Sequence, residues 1–335
     1  MTPFRDLRRL GTTLLAPMML CAALLAACGG GTSQVQSFVP ARLIVFGDEN
    51  SMIENDGNGD GFKFTVNDRR ASTGKCLALP SFVQSLASLY GLVFEQCNPN
   101  GDLPKAFIRA QRLATVDDAS TGLAQQLASQ GDLNATDMVT VMIGSNDIIA
   151  LYERTQSGLA PADALAEAKR RGTLAAVQVN AILRTGARAI VFTVPDLSSS
   201  PYAVRANLSD PGASALLSQL TYQFNAYLRT QIDSNTYDGR NYGLVLADDL
   251  VAAMAKNPAS FLTAPAVNNV AACVTTPVGG TGAAVATAVR ACDTTTLVAG
   301  ASSTSHLWAS DRHLGPNAHS QIGAQATTRA RGNPF

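Results

Sequence analysis

Residues 42–51 read RLIVFGDENS, and residues 138–147 read MVTVMIGSND. Each stretch is a short apolar run, rich in β-branched residues, that ends in glycine followed by polar residues. This pattern is typical of a buried parallel strand that gives way to a loop. In an open α/β sheet, ligands bind beyond the carboxyl ends of the strands. The two stretches therefore predict a fold and also the edge of the sheet at which a functional site should lie.

Similar apolar runs alternate with longer amphipathic segments along the rest of the chain. The predicted strands cover residues 42–46, 92–95, 138–143, 189–194 and 244–247, and the predicted helices cover residues 81–90, 123–128, 161–184, 214–232 and 316–329. This alternation predicts an α/β fold, a three-layer α/β/α sandwich with a central parallel sheet. Residues 41–335 are expected to form one domain with insertions near residues 49–74 and 263–305, because no linker separates two self-sufficient halves.

The first 27 residues have the features of a cleavable export signal. Three arginines precede an apolar run at residues 14–27. This run is too short and too rich in alanine to form a stable transmembrane helix. Residues 25–28, LAAC, resemble the bacterial lipobox, which implies that Cys28 becomes an acylated N-terminus and that residues 28–40 form a tether. The glycine after this cysteine implies an outer-membrane lipoprotein that faces the periplasm or the exterior. Ordinary secretory cleavage, with the cysteine left as a free thiol, is the alternative.

Composition narrows the possible partners. Hydrophobic residues make up 46% of the 335-residue chain and charged residues 15%, and the formal net charge is zero. Such a chain can bury a full core in one large domain. A nucleic-acid-binding protein needs a basic surface, and no cluster of Lys and Arg lies outside the export signal. Nucleic acid is therefore excluded as an expected partner.

Four of the six cysteines follow the export signal and the lipidation position. An even number of cysteines in an exported protein favours disulfides. Three pairings are possible, and the sequence neighbourhoods favour Cys76 with Cys97 and Cys273 with Cys292, because each of these pairs closes a local loop. A zinc site is disfavoured, since neither a Cys-x-x-Cys motif nor a suitable histidine spacing accompanies the cysteines.

Three polar blocks follow the predicted strands or open the last helix. They read VFGD at residues 45–48, GSND at residues 144–147 and WASDRHLGPNAH at residues 308–319. In this order they resemble the SGNH/GDSL ester-hydrolase family, whose blocks are Phe-Gly-Asp-Ser, Gly-x-Asn-Asp and Asp-x-x-His followed by a second histidine. The resemblance extends over nearly the whole chain from residue 42 onward. It implies hydrolysis of carboxylic esters, with a small-molecule or lipid ester as substrate and no cofactor.

The resemblance also implies roles for individual residues. In this family a serine hydroxyl attacks the ester carbonyl, a histidine takes its proton and an aspartate orients the histidine. His313 corresponds to that histidine, and Asn146 corresponds to an asparagine that helps to hold the oxyanion. Asp311 is the expected acidic partner, although it stands one residue closer to His313 than usual, with Ser310 at the family's position.

Two further positions depart from the family pattern. Glu49 stands where the nucleophilic serine belongs, and Leu113 stands at the position of an oxyanion-binding glycine. Ser51 is the nearest hydroxyl and would be a displaced nucleophile if the loop followed an unusual path. Glu49 could also act as a base that activates water beside a protonated His313. Alternatively, Glu49 and His313 form an ion pair in a site that has lost its catalytic activity. Ester hydrolysis and a degenerate binding or envelope-interaction module both stay open.

A possible metal motif lies in the first insertion. Asp56, Asn58 and Asp60 match the first half of a calcium loop, in which alternating oxygen ligands wrap the ion. The twelfth position is Asn67, which lacks the bidentate carboxylate that closes such a loop. A turn rich in Asn, Asp and Gly explains the same residues and is the preferred interpretation.

Overall fold

The computed structural model describes residues 37–69, 75–273 and 291–332. The predicted export signal, Cys28, most of the tether and parts of both insertions lie outside these residues. Contacts group the chain from Phe38 onward into one unit. Within the described part, no helix is both long enough and apolar enough to cross a membrane.

The secondary structure alternates between strands and helices, as the sequence predicts. The strands are β1 (Arg42–Gly47), β2 (Ile53–Glu54), β3 (Phe62–Lys63), β4 (Ala106–Ile108), β5 (Asp137–Met142), β6 (Arg188–Phe192), β7 (Tyr242–Val245), β8 (Val267–Ala271) and β9 (His306–Trp308). The helices are α1 (Phe82–Leu89), α2 (Leu123–Gln130), α3 (Ser145–Gln156), α4 (Pro161–Arg184), α5 (Pro201–Ala206), α6 (Ala213–Gln231), α7 (Ser234–Tyr237), α8 (Ala247–Lys256) and α9 (Pro316–Arg331).

Five of the strands form a parallel sheet in the order β4-β1-β5-β6-β7. β1 lies between β4 and β5, so that Val45 pairs with Ile108 on one side and with Thr140 on the other. All six residues of β5 are buried, which explains why its sequence is apolar on both faces. Helices cover the sheet on both sides, with α4 packed on α6 and α1 packed on α9. The protein is therefore a three-layer α/β/α sandwich.

Four predicted strands are confirmed with small differences in their bounds, and one prediction is wrong. Residues 92–95 do not form a strand of the sheet, because Phe94 makes only isolated bridges to Ala106 and Cys97. The edge position is taken by β4 instead. Leu92 and Phe94 are buried in the core. A short buried apolar segment has the same sequence pattern as a strand, even when it forms no ladder of hydrogen bonds with a neighbouring strand.

The two disulfides form as predicted. Cys76 and Cys97 are joined with an S–S distance of 2.02 Å, and Cys273 and Cys292 with a distance of 2.10 Å. The bonds span 21 and 19 positions of the sequence. Each bond restricts the unfolded chain and so favours the folded state. The second bond ties together the two described ends of the later insertion.

Two glycines set the geometry at the carboxyl ends of the central strands. Gly47 ends β1 with a φ of 147°, and Gly144 follows β5 with a φ of 133°. A Cβ at Gly47 would lie 2.0 Å from the carbonyl oxygen of Met142, and one at Gly144 would lie 2.6 Å from Val194 Cγ2. Only glycine fits these positions without displacing its neighbours. The residues that follow both strands are thus directed to the same edge of the sheet.

Candidate functional site

Glu49 lies at the start of a 3-10 turn, Glu49–Ser51, directly after β1. Its side chain is almost completely buried, with 3% of the residue exposed. The Leu113 amide donates a hydrogen bond to Oε1 at 2.6 Å, and Asn146 Nδ2 donates one to Oε2 at 2.8 Å. The predicted oxyanion donor Asn146, and the amide of the residue at the substituted glycine position, Leu113, therefore both bind the carboxylate of Glu49.

The amide of Leu113 is aimed by an unusual backbone conformation. Leu113 has a φ of 58°, in the left-handed region that favours glycine. A leucine there costs about 1–2 kcal/mol relative to the right-handed region. The preceding segment is fixed to β1, since Ala110 and Gln111 donate backbone hydrogen bonds to Val45 and Gly47. The backbone therefore keeps the shape of a glycine position although the residue is leucine.

Asn146 and Asp147 lie in the first turn of α3 and have different tasks. Asn146 Nδ2 also donates to the carbonyl of Ala114 at 3.2 Å, so this side chain bridges that loop and Glu49. Asp147 is fully buried and accepts hydrogen bonds from the Val116 amide and from Arg171 Nη1, the latter at 2.8 Å. Asp147 thus anchors the segment that carries the Leu113 amide, while Asn146 faces Glu49.

Asp48 connects the ends of β1 and β5. Its Oδ1 accepts from the Asn50 amide at 3.1 Å, and its Oδ2 accepts from the Ser145 amide at 3.3 Å. Burial, reinforced by the charge on Glu49, raises the pKa of Asp48 to about 7. Two adjacent buried carboxyl groups therefore share this edge of the sheet, and only that of Glu49 is bound by Leu113 and Asn146.

Ser51, the candidate displaced nucleophile, makes no side-chain hydrogen bond to Leu113 or Asn146. Ser51 is buried, and its hydroxyl oxygen has no hydrogen-bond partner. That oxygen lies against β1, 2.8 Å from where a Cβ would stand on Gly47. A nucleophile needs access to the substrate and a base within hydrogen-bond reach. Ser51 therefore lacks the base expected of a displaced nucleophile.

His313 is buried in the loop between β9 and α9, with 4% of the residue exposed. Its Nδ1 lies 3.0 Å from Ser310 Oγ, and its ring lies 5.7 Å from that of Phe64. Burial, reinforced by the charge of Arg312, lowers the pKa of His313 to about 3. The ion pairs of the described residues do not join Glu49 to His313. The lowered pKa disfavours the hypothesis of a His313 kept protonated by Glu49.

Asp311 does not orient His313. Both of its oxygens accept from the guanidinium of Arg205, one of them at 2.7 Å from Nη2. Its carbonyl oxygen accepts from the Tyr202 amide at 2.9 Å. The one-residue shift seen in the sequence thus gives Asp311 a different partner. Among the described hydrogen bonds, Ser310 is the group that contacts His313 Nδ1.

The calcium-like segment is organised as a turn. Asp56 Oδ1 accepts from the amides of Asn58 and Asp60 at 2.8 and 3.1 Å. Asp60 Oδ1 accepts from the Cys76 amide at 2.7 Å, and Asn67 is engaged with main-chain groups nearby. No cluster of three His, Cys, Asp or Glu able to hold a metal exists among the described residues. These contacts are those that the turn interpretation predicts.

Two contributors were missed at the sequence level. Arg205 is 106 positions away from Asp311, and no local pattern connects the two residues. Ser310 carried a signal, since it stands at the expected place of the acidic partner, but a hydroxyl was not weighed for that role. A serine oxygen can accept the Nδ1 hydrogen of a neutral imidazole and so fix its tautomer.

Comparison with known proteins gives no family assignment. The sequence matches no protein-family model, and no curated protein matches it. The function is therefore inferred from the arrangement of the site residues. It consists of a buried carboxylate, that of Glu49, held by two hydrogen-bond donors, and of a buried imidazole, that of His313, in contact with the Ser310 hydroxyl.

Proposed function

We propose that this chain is a divergent SGNH/GDSL-type protein that binds a ligand at the candidate site and does not hydrolyse esters by a serine mechanism. The observation that carries this proposal is the pair of hydrogen bonds from Leu113 and Asn146 to the carboxylate of Glu49. In the ester hydrolases that the sequence resembles, such donors hold the oxyanion of the transition state. Here a side chain of the protein itself occupies them.

Transition-state theory explains why this arrangement suppresses hydrolysis. A donor accelerates a reaction only if it binds the transition state better than the ground state. Donors already bound to Glu49 give no such difference, and the negative charge of Glu49 repels a developing oxyanion. Loss of one oxyanion donor alone costs about 10²–10³ in rate in a characterised hydrolase. A carboxylate also cannot form the acyl-serine intermediate of the family.

Ester hydrolysis is the second candidate, and His313 is the observation that favours it. A neutral imidazole is the form that takes a proton, and burial keeps His313 in that form at neutral pH. The contact between Ser310 Oγ and Nδ1 leaves Nε2 as the nitrogen free to act as a base. In this alternative His313 or Glu49 activates water against a carboxylic ester, from either a small molecule or a lipid.

Turnover of short-chain nitrophenyl esters by the purified protein separates the candidates. We expect background rates for the wild type and an increase of about 10²-fold for Glu49→Ser, since that change restores one hydroxyl and removes one opposing charge. The increase should vanish in the double variant Glu49→Ser/His313→Gln. Glu49→Gln is the matched control, because it removes the charge without adding a nucleophile, and it should not gain activity.

Two results would contradict the proposal. Wild-type turnover that is lost in both Glu49→Gln and His313→Gln would favour hydrolysis by an activated water. Labelling of the wild type at Ser51 by a fluorophosphonate would reveal a working serine nucleophile. The substituted glycine position, Leu113, limits the gain expected from Glu49→Ser but does not change its direction.

We also propose that the protein is anchored to the outer membrane through a lipid on Cys28, as the lipobox resemblance implies. Cys28→Ser should then move the protein from the membrane fraction to the soluble fraction without lowering its thermal stability, because the residue precedes a tether. Membrane fractionation of cells that express each form checks this. A Cys28→Ser protein that still sediments with membranes would refute the lipid anchor.

A further inference from the structure

Arg312 is a buried cation, and two of its hydrogen-bond donors have no acceptor among the described residues. The residue is 5% exposed, and its Nε and Nη2 atoms are buried without a hydrogen-bond partner. The ion pairs of the described residues give Arg312 no carboxylate. A buried charge without a partner destabilises the folded state, because the charge loses its hydration and gains no compensating contact. Nε and Nη2 are therefore two donors for which the described residues supply no acceptor.

The acidic groups around Arg312 are already engaged. Both oxygens of Asp311 are bound by Arg205, and Glu153 accepts a hydrogen bond from the Tyr202 hydroxyl at 3.3 Å. Arg312 itself lies over the Tyr202 ring, with 5.2 Å from Cζ to the ring centroid. A cation–π contact uses the face of the guanidinium or its charge. It does not satisfy the in-plane N–H donors at Nε and Nη2.

Nε and Nη2 are the two atoms through which an arginine forms a side-on, bidentate pair of hydrogen bonds with a carboxylate. Arg42 shows the arrangement in the same protein: its Nε donates to Asp137 Oδ1 at 2.8 Å and its Nη2 donates to Oδ2 at 2.6 Å. Such a fork matches the two coplanar oxygens of a carboxylate. Arg312 presents the same fork with both donors unused.

The position of Arg312 links this fork to the candidate site. Arg312 directly precedes His313 in the loop after β9, and its charge acts on that imidazole. An anion held by the fork would therefore lie close to His313. The donors at Leu113 and Asn146, by contrast, are already bound to Glu49. Among the described donors considered for the candidate site, Nε and Nη2 of Arg312 are the pair without an acceptor.

We propose that Arg312 binds the carboxylate of a small organic acid side-on through Nε and Nη2. The inference rests on the proposed ligand-binding function and deepens it by naming the chemical class of the ligand. No covalent step is involved. The carboxylate supplies the two acceptors that the guanidinium lacks, and its charge compensates the buried cation.

Binding of butyrate, methyl butyrate and inorganic phosphate to the full chain tests this, by calorimetry and thermal unfolding at constant ionic strength. We expect a saturable rise of the unfolding temperature with butyrate, because a ligand that binds the folded state stabilises it. In Arg312→Met the affinity for butyrate should fall by about 30-fold or more, the loss typical of removing one partner of a buried charge pair. Arg312→Lys keeps the charge but removes the fork, and it should bind butyrate more weakly than the wild type.

The ligand-free variants provide a second readout. Arg312→Met replaces an unpaired buried charge by an apolar side chain, so without ligand its unfolding temperature should rise. Arg205→Met is the matched control, because it leaves Asp311 buried and unpaired. Its unfolding temperature should fall, while butyrate should still stabilise it. A lower unfolding temperature for ligand-free Arg312→Met would mean that the guanidinium stabilises the fold without an anion, against the proposal.

The other outcomes separate this inference from the proposed function. Binding of methyl butyrate without butyrate would keep the ligand-binding function and overturn the carboxylate assignment. Binding of phosphate alone would overturn it as well. A butyrate response that is equal in the wild type, Arg312→Met and Arg312→Lys would show that the fork is not the site. Failure of all three compounds to bind would count against both proposals.

Discussion

The two parts of the candidate site differ in how their polar groups are satisfied. In the strand-end part, formed by Glu49, Leu113 and Asn146, the donors meet the acceptors of one carboxylate within the protein. In the loop part, formed by residues 310–313, Arg312 keeps two buried donors without an acceptor. The first part is chemically complete without a ligand, and the second is not. The proposed ligand would therefore contact the loop part.

The two parts also differ in what holds them in place. The strand-end part rests on close backbone packing, since Gly47 and Gly144 leave no room for a Cβ. The loop part rests on side-chain contacts and on the Cys273–Cys292 bond, which closes the insertion before it. Interiors packed at this density transmit any added volume as strain. We expect changes in the strand-end part to affect folding most strongly.

The largest effect is expected for Gly47→Ala. A Cβ at this position would lie 2.0 Å from the carbonyl oxygen of Met142, which belongs to the central sheet and cannot move independently. The free energy of unfolding should fall by more than about 4 kcal/mol, the range that marks severe steric conflict. Gly91→Ala is the control: its φ is also positive, at 63°, but nothing lies within 4 Å of the added carbon. It should lose only about 1–2 kcal/mol.

Chemical denaturation of both variants checks the comparison. If Gly47→Ala and Gly91→Ala lowered the free energy of unfolding equally, the requirement for glycine at position 47 would come from its backbone conformation and not from close packing.

A smaller effect is expected when the disulfide near the loop part is removed. Cys273→Ala/Cys292→Ala should lower the free energy of unfolding by about 3 kcal/mol through the freed chain entropy. The only tryptophan, Trp308, lies in β9 and donates from Nε1 to the Asn268 carbonyl at 3.0 Å. Its fluorescence should therefore report a looser loop part before global unfolding.

The matching control removes the other disulfide, Cys76–Cys97. A similar loss of stability is expected, with the Trp308 emission of the folded protein unchanged. If both double variants shift that emission equally, the two parts of the site are not held independently.

The pH dependence of stability should differ in sign between the buried histidines, His313 in the loop part and His319 in α9, and Asp48, which precedes Glu49 of the strand-end part. His313 and His319 are buried, and their folded-state pKa values are lowered from 6.5 to about 3. The unfolded chain therefore binds more protons in this range, and stability falls as the pH drops from 6.5 toward 3. Asp48 acts oppositely, because its pKa is raised from 3.8 to about 7 and its contribution is lost as the pH rises through that range.

Urea denaturation at several pH values measures these slopes. His313→Gln should reduce the loss of stability between pH 6.5 and about 5 by about 2 kcal/mol, since each pH unit corresponds to about 1.4 kcal/mol for one proton. Asp48→Asn should instead steepen the loss toward low pH. An unchanged slope in His313→Gln would indicate that this histidine is already protonated in the folded protein.

The smallest effect is expected for Leu113→Gly. Glycine adopts a φ of 58° without strain, and the side chain that is lost is 37% exposed. The variant should gain up to about 1 kcal/mol of stability, while the amide that donates to Glu49 stays in place. Leu103→Gly, at an exposed position without a positive φ, should be slightly destabilising. A loss of stability in Leu113→Gly would show that packing, and not backbone strain, decides this position.

Local sequence patterns predicted much of the architecture. Strands buried on both faces read as continuous apolar runs, so β1, β5 and β6 were recognisable, and the polar residues after β1 and β5 followed from that assignment. The pattern failed at residues 92–95, where burial without pairing gives the same signal. Helix α3 was overlooked because its first turn carries the polar residues that were assigned to a loop.

The residue pattern predicted the three-layer fold, favoured the two disulfides among three possible pairings, and put Glu49 and Asn146 after two predicted strands. Which side chains meet depends on the folded arrangement of the chain. Glu49 is bound by residues 64 and 97 positions away, and Asp311 by Arg205 at a separation of 106. Periodicity reports which face of an element is buried, but such distant pairings depend on the path of the whole chain. For the same reason, the sequence does not indicate that two donors of Arg312 lack an acceptor, since this depends on where the neighbouring acceptors lie in three dimensions.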